Sequence, residues 1–227
     1  GKRMKIVLDY LDQLRQNNNR EWYHANKQMY KDANSAFEIF IQDLIREIRK
    51  FDGSIPLLEA RNLTFKIVRD TRFSHDKSPY NPSFRAHIAS KGKLPIPVGY
   101  YVMISPGGHS FLGGGLFADM FRDATEMVRH HIEKNGPQWQ EIIESPNFKT
   151  SFKVGGTALK NVPKGYNAEH PQSEYLKNKS WYIEFPLSDA EVSDSDFLYL
   201  AANTFEKMKP FNDFLNCALT DFQMPSR

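Results

Sequence analysis

The hydrophobic period of this chain changes at Pro56, and that change limits the folds open to it. Before Pro56, apolar residues recur at helical spacing over 37–51, and Asp52-Gly53 ends the stripe. After Pro56, apolar and polar residues alternate, which is typical of half-buried strands. The strands expected from this alternation are 63–69, 84–89, 100–105 and 109–113. We expect them to form one mostly antiparallel sheet, with the 37–51 helix packed against it.

Further helices flank the expected strands in the sequence. Amphipathic spacing predicts helices over 4–16, 20–31, 118–134, 138–144 and 173–178, and a helical tail from 197. Pro210 is expected to open a last helix within that tail. A further strand is expected over 181–185, and Pro106-Gly107-Gly108 is expected to join two strands as a hairpin. The order predicts an α+β fold: a single domain over 1–227, with a mostly antiparallel sheet packed by several helices.

The composition excludes several classes of protein. With 40% hydrophobic and 13% aromatic residues, the chain is expected to be globular rather than disordered. Its one cysteine, Cys217, excludes an internal disulfide and is expected to be a small buried residue of the last helix. A net charge of +3 makes a dedicated nucleic-acid binder unlikely. No apolar run reaches about 18 residues and no secretory leader is visible, so we expect a soluble cytoplasmic protein without a membrane partner.

Ionisable groups crowd residues 69–80, RDTRFSHDKSPY, which we call the 69–80 loop. Arg72 and Lys77 are suited to donate to a phosphate or carboxylate, and Asp70 or Asp76 to orient them or to act as a base. The alternative is an internal salt-bridge network that fixes an extended loop. The ligand-binding residues expected here are Arg69, Asp70, Arg72, Asp76, Lys77 and Tyr80.

A second charged turn, Pro163-Lys164-Gly165-Tyr166, combines the fixed angle of proline with the freedom of glycine. Such a turn presents Lys164 and Tyr166 to a ligand or, alternatively, is a surface turn with its tyrosine packed on the core. Closely spaced cations repel unless an anion or carboxylates lie between them. We therefore predict that this turn and the 69–80 loop meet around one pocket.

Other patterns give less support to a site. His130 and His131 are adjacent, so their side chains diverge on a helix, and we expect no bound metal. The glycines at 113–115 precede a helix, where backbone amides can cradle phosphate, but the P-loop lysine is missing, and close packing is the alternative. We assign no cofactor and no catalytic residue. Whether the protein is an enzyme is left open.

Three short blocks of this sequence resemble one known family. They are Asn17-Asn18-Asn19-Arg20-Glu21-Trp22-Tyr23 with Asn26-Lys27, Arg69-Asp70-Thr71-Arg72-Phe73-Ser74 with Asp76-Lys77 and Pro79-Tyr80, and Pro163-Lys164-Gly165-Tyr166. In combination they are similar to a widespread, mostly bacterial family classed as a domain of unknown function. The resemblance extends over nearly the whole chain and implies a single domain of this length. It implies no reaction, cofactor or catalytic residue.

Three hypotheses of function follow from these patterns. The first is a site for an anionic or phosphorylated small molecule, enzymatic or sensory, built on the 69–80 loop. The second is a non-catalytic protein-interaction module that uses the same loop and exposed aromatics such as Tyr100 and Tyr101. The third, nucleic-acid binding with stacking on Phe73 or Tyr80, would use Arg72, Lys77 and Arg85. A concave pocket would favour the first, and a flat apolar patch the second.

Overall fold

A four-stranded antiparallel sheet organises the computed structural model, which describes residues 1–226. The strands follow one another in the order β1-β2-β3-β4 and are β1 Phe84–Ile88, β2 Tyr100–Ile104, β3 Ser110–Leu116 and β4 Trp181–Leu187. The hairpin between β2 and β3 was predicted from its turn residues and is confirmed. With helices before and after the strands, the α+β class is confirmed.

Helices account for most of the remaining regular structure. They are α1 Lys2–Gln16, α2 Arg20–Ala25, α3 Lys27–Arg49, α4 Arg122–Lys134, α5 Gly136–Glu144, α6 Pro146–Lys149, α7 Ser173–Leu176, α8 Asp189–Ser193 and α9 Phe197–Ala218. Local capping begins two of them: Asn19 accepts from the Trp22 amide at α2, and Ser188 forms a capping box with Glu191 at α8. None of the helices within residues 1–226 combines the length and apolarity needed to span a membrane.

One face of the sheet is buried under helices and the other is open. Ala86, Val102 and Leu112 follow one another in cross-strand pairs and are fully buried. α3 packs against β1 on this face, and α9 packs against β3. The apolar stripe predicted for the 37–51 helix is confirmed as far as Ile48, which is buried in α3, but the helix ends at Arg49 and Phe51 is half-buried beyond it. Side chains alternate along a strand, so the residues between the buried ones point to the open face.

The strand predicted over 63–69 is wrong, although its residues do run along β1. The amide of Phe65 donates to the Arg85 carbonyl at 3.0 Å, and the His87 amide donates to the Leu63 carbonyl at 3.1 Å. Beyond Phe65 the chain turns away from β1, because the carbonyl of Ile67 accepts from Asn81 at 2.7 Å instead. The local pairing with residues 79–81 therefore ends the contact with the sheet before a regular ladder can form.

The opposite edge of the sheet is covered in a similar way. Gly155 and Tyr182 of β4 exchange two backbone hydrogen bonds, at 2.8 and 3.1 Å. Both outer strands of the sheet are thus paired, over a short length, with segments that are not themselves strands.

The prediction that Pro210 opens a last helix is wrong, because α9 continues through it. Pro210 removes one intrahelical hydrogen bond, which normally breaks or kinks a helix. Here its ring lies on the exposed side of α9, while Phe205, Met208 and Phe211 on either side of it are fully buried. Burial of the apolar stripe outweighs the missing bond.

Two asparagines one turn apart fasten α9 to the sheet. Asn212 is buried; its Oδ1 accepts from the Gly115 amide at 2.8 Å, and its Nδ2 donates to the Gly99 carbonyl at 2.9 Å. Asn216 exchanges the same pair of bonds with the backbone of Val98, at 2.8 and 3.0 Å, closer to solvent. The helix is therefore held to the backbone of the sheet by side-chain amides as well as by apolar contact.

Candidate functional site

A cavity of about 320 Å³ lies on the open face of the sheet, and we call it the open-face cavity. Its walls are largely apolar and come from all four strands, from the β1–β2 connection and from the end of β3. The lining residues are Phe65, His87, Lys93, Pro95, Tyr101, Phe111, Gly115, Phe117 and Glu184. An apolar hollow of this size with a few polar groups is typical of a small-molecule site.

The floor of this cavity is one row of residues that runs across the sheet. His87 of β1 pairs with Tyr101 of β2, Tyr101 with Gly113 of β3, and Gly113 with Glu184 of β4. Gly113 has no side chain, and a Cβ there would lie 2.9 Å from the ring of Phe117. The glycine is therefore needed for Phe117 to lie down against the sheet.

Aromatic rings form the walls around Tyr101. The ring centroids of Phe111 and Phe117 lie 5.6 and 5.7 Å from that of Tyr101, and the centroid of Phe65 lies at 6.4 Å. Phe117 in turn stacks on Tyr182 at 4.7 Å with an interplanar angle of 13°. The rings that form the walls thus also pack against each other.

Two cations lie near the ring of Phe65, and one of them, Lys93, lines the cavity. The guanidinium carbon of Arg85 and the Nζ of Lys93 are each 5.3 Å from its centroid. Arg85 donates to the Lys66 carbonyl at 3.1 Å, and Lys93 donates to the Thr64 carbonyl at 3.0 Å. Within residues 1–226 neither cation forms an ion pair, and the buried Nε of Arg85 has no hydrogen-bond partner.

The pKa values of three polar groups in the floor differ from their ordinary values. Burial lowers the pKa of His87 to about 4, and hydrogen bonds with the backbone of Lys93 and Leu94 oppose this shift only in part. The imidazole is therefore neutral at pH 7. Burial raises the pKa of the Tyr101 hydroxyl, and the adjacent Arg85 opposes that shift. Partial burial also raises the pKa of the Glu184 carboxyl, whose residue stays largely open to solvent.

The predicted 69–80 loop is held together by its own cations. The guanidinium of Arg69 donates to the carbonyl and hydroxyl of Ser78, both at 2.9 Å, and forms an ion pair with Asp76 at 3.4 Å. Lys77 donates to the Thr71 carbonyl at 2.7 Å. These bonds form an internal network that fixes the loop, which was the alternative to a ligand site.

The tip of the loop is different, because its groups face solvent. Arg72 pairs with Asp70 at 2.8 Å, and this contact lowers the pKa of the Asp70 carboxyl. The two side chains remain 77% and 59% exposed. Phe73 beside them is 94% exposed, which is what the protein-interaction hypothesis requires of a contact residue.

Tyr80 joins two of the three family-like blocks. The Asn18 side chain accepts from the Tyr80 amide at 3.0 Å and donates to its carbonyl at 2.7 Å. The ring of Tyr23 stacks on Tyr80 at 4.4 Å. Tyr80 itself is 4% exposed, so it anchors the end of the loop on α2 and on the turn before it.

The third block lies against another element. The Tyr166 hydroxyl donates to the Glu126 carboxylate of α4 at 3.2 Å, and burial together with Glu126 raises the pKa of Tyr166 to about 12. Lys164 is exposed. Among residues 1–226, no hydrogen bond or ion pair joins this turn to the 69–80 loop. That the two meet around one pocket stays a prediction.

Several smaller predictions are decided by exposure. Tyr100 was expected to be an exposed aromatic, which is wrong: it lies on the buried face, and its hydroxyl donates to Asp52 at 2.8 Å. Cys217 was expected to be buried and is exposed, because it lies beside rather than on the apolar stripe of α9. The glycines at 113–115 lie inside β3, where they allow close packing.

Within the described part of the chain, no three His, Cys, Asp or Glu side chains are arranged to hold a metal ion.

His87, Lys93 and Glu184 were missed by the sequence reasoning. They lie up to about a hundred positions apart, and only the pairing of the strands brings them to one cavity. A weak signal did exist in the alternation of the predicted strands, which placed Arg85 and His87 on one face of β1.

Comparison with known proteins identifies a family. The model of a family of conserved hypothetical proteins, DUF2461, matches residues 6–214. No curated protein and no solved structure matches the chain.

Proposed function

The chain belongs to DUF2461, a family of conserved hypothetical proteins, and because that membership names no ligand, we propose from geometry that it binds an anionic small molecule with an apolar body in the open-face cavity. The acidic group of the ligand would lie beside Phe65, next to Lys93 and on the side of the cavity where Arg85 lies. Its apolar body would lie over Tyr101, among the rings that line the cavity. The ligand class is that expected from the sequence, but the site differs from the 69–80 loop.

The observation that carries this proposal is the state of the two cations. Both lie over one ring, so their charges are no farther apart than twice the 5.3 Å from each to its centroid. Like charges repel each other, and an anion close to them offsets the repulsion. Their hydrogen bonds to the carbonyls of Lys66 and Thr64 leave a full positive charge on each side chain. An anion at this end of the cavity would relieve the repulsion.

The rest of the cavity supports an apolar ligand body. Removing about 100 Å² of apolar ligand surface from water would contribute about 2.5 kcal/mol to binding. Glu184 lies on β4, three strand spacings or about 14 Å from β1. Its carboxylate repels an anion, so the ligand would be oriented with its acid toward Arg85 and Lys93 and away from β4.

Calorimetric titration with naphthalene-2-sulfonate tests the proposal at low ionic strength. This probe stays charged at every working pH, and naphthalen-2-ylmethanol is its neutral counterpart. Replacing Lys93→Met or Arg85→Met should weaken sulfonate binding at least about tenfold, because a hydrogen bond to a charged group contributes about 1.5–3 kcal/mol. Binding of the neutral alcohol should hardly change. Lys91→Met removes an exposed lysine outside the cavity and is the matched control.

Two results would overturn the proposal. One is equal affinity of the native protein for the sulfonate and the alcohol. The other is sulfonate binding that Lys93→Met and Lys91→Met change to the same extent. Circular dichroism of each variant verifies that a loss of binding does not come from unfolding.

A phosphate site on the 69–80 loop is the second candidate function. It is supported by the exposure of the Arg72–Asp70 pair, since an exposed ion pair contributes only about 0–1 kcal/mol and yields readily to a stronger anion. If the loop and the 163–166 turn share one pocket, Arg72→Ala and Lys164→Ala should each abolish binding of inorganic phosphate. The melting temperature should move by less than about 2 °C, because both side chains are exposed.

Lys153→Ala, another exposed lysine, is the control for this second candidate. Phosphate binding that survives in both Arg72→Ala and Lys164→Ala would leave the loop as a structural network. Loss in only one of them would contradict a shared pocket.

A further inference from the structure

We infer that the ligand of the open-face cavity is an aromatic acid, with a flat ring stacked on Tyr101 and the acid on that ring or one carbon away. This inference rests on the proposed function and narrows its ligand class. It follows from how the rings are arranged around Tyr101.

Among residues 1–226, Tyr101 has three aromatic neighbours but no parallel partner. The rings of Phe65, Phe111 and Phe117 are tilted to it by 56°, 37° and 46°. Aromatic pairs favour either edge contacts or offset stacking, and the neighbours of Tyr101 supply only tilted contacts. By contrast, Phe117 has its parallel partner in Tyr182. A ligand ring that lies on Tyr101 would stack on the face of Tyr101 and make edge contacts with the neighbouring rings.

The floor of the cavity beside Tyr101 is determined by the residue that pairs with Tyr101 on β3. Its cross-strand neighbour is Gly113, which adds no side chain to the floor. Phe117 covers that position and is 38% exposed, so part of its ring also borders the cavity. A planar ligand stacked on Tyr101 would therefore also contact the ring of Phe117, which is tilted to Tyr101.

The distance from this stacking position to the cations sets the length of the ligand. The centroids of Tyr101 and Phe65 are 6.4 Å apart, and both cations lie over Phe65. A ring on Tyr101 would therefore place a directly attached or one-carbon acid group close to Phe65 and on the side of Lys93, which lines the cavity.

Naphthalene-2-sulfonate and decane-1-sulfonate test this inference, since they share a head group and have equal numbers of carbon atoms. We expect the aromatic probe to bind the native protein at least about fivefold more tightly, because of stacking and because a rigid probe loses less freedom. Tyr101→Leu should bring the two affinities within about twofold. Tyr101→Phe keeps the ring and should keep the preference, which separates stacking from the effect of the hydroxyl.

The two proposals fail in different ways. If both sulfonates bind equally and Lys93→Met weakens both, the aromatic inference is overturned and the anion site stands. If Lys93→Met weakens neither, the anion site itself is overturned. A preference that persists unchanged in Tyr101→Leu would also overturn the stacking position.

Discussion

Replacement of Asn212 by alanine is expected to lower the free energy of unfolding by about 3–5 kcal/mol. The change leaves the Gly115 amide and the Gly99 carbonyl buried without partners, and each such group costs about 1–3 kcal/mol. Water cannot easily replace the lost side chain, because Asn212 is 3% exposed. Gly115 has a φ of +89°, so the amide is held in place by its backbone conformation. Urea denaturation followed by circular dichroism measures the loss.

The same helix offers a matched control for Asn212→Ala. Asn216 makes the equivalent pair of bonds with Val98, but in a half-buried position where water can take over. Asn216→Ala should therefore cost clearly less, and Asn203→Ala on the exposed side of α9 should stay within about 0.5 kcal/mol of the native protein. A larger loss for Asn216→Ala than for Asn212→Ala would contradict this account of how α9 is fastened.

Acid is expected to destabilise the protein through His87, by up to about 3 kcal/mol. In the unfolded chain His87 has an ordinary pKa of about 6.5, whereas burial lowers the pKa in the folded protein to about 4. Between these values the unfolded state binds the proton and the folded state does not. The contribution of neutral His87 is thus complete above about pH 6.5 and is lost as the pH falls toward 4.

Comparison with His87→Gln isolates this contribution. Glutamine does not titrate, so the free energy of unfolding of the variant should fall less steeply between pH 7 and pH 4. Measured by urea denaturation, the difference between the two proteins should shrink or reverse at the acid end. Parallel pH dependences would show that His87 is protonated as easily in the folded protein as in the unfolded chain.

Local patterns of sequence were enough to predict most of the fold. The stripe of α3 was predicted because helical spacing and burial coincide, and the β2–β3 hairpin because its turn residues are specific. The strand at 63–69 failed because alternation cannot tell a strand from a segment that leaves the sheet to pair with residues 79–81. The break at Pro210 failed because the packing of α9 against β3 overrides a local rule.

The two candidate sites differ in how much of each could be predicted from the sequence. The 69–80 loop was visible because its charges are neighbours in the chain, although its internal bonds were one of two alternatives. The open-face cavity depends on the register of four strands, which placed His87 and Glu184 in one row across the sheet. No rule applied to single segments contains that register, because it is decided by long-range pairing.

The short pairings at the two edges of the sheet have a consequence for how this protein meets other chains. An unpaired outer strand is a template for strand addition and for edge-to-edge aggregation. Here the residues around Phe65 occupy the outer side of β1, and Gly155 occupies part of the outer side of β4. Pro186 in β4 removes a further donor from that strand. Little free backbone is therefore left along these parts of the two edges for another strand to pair with.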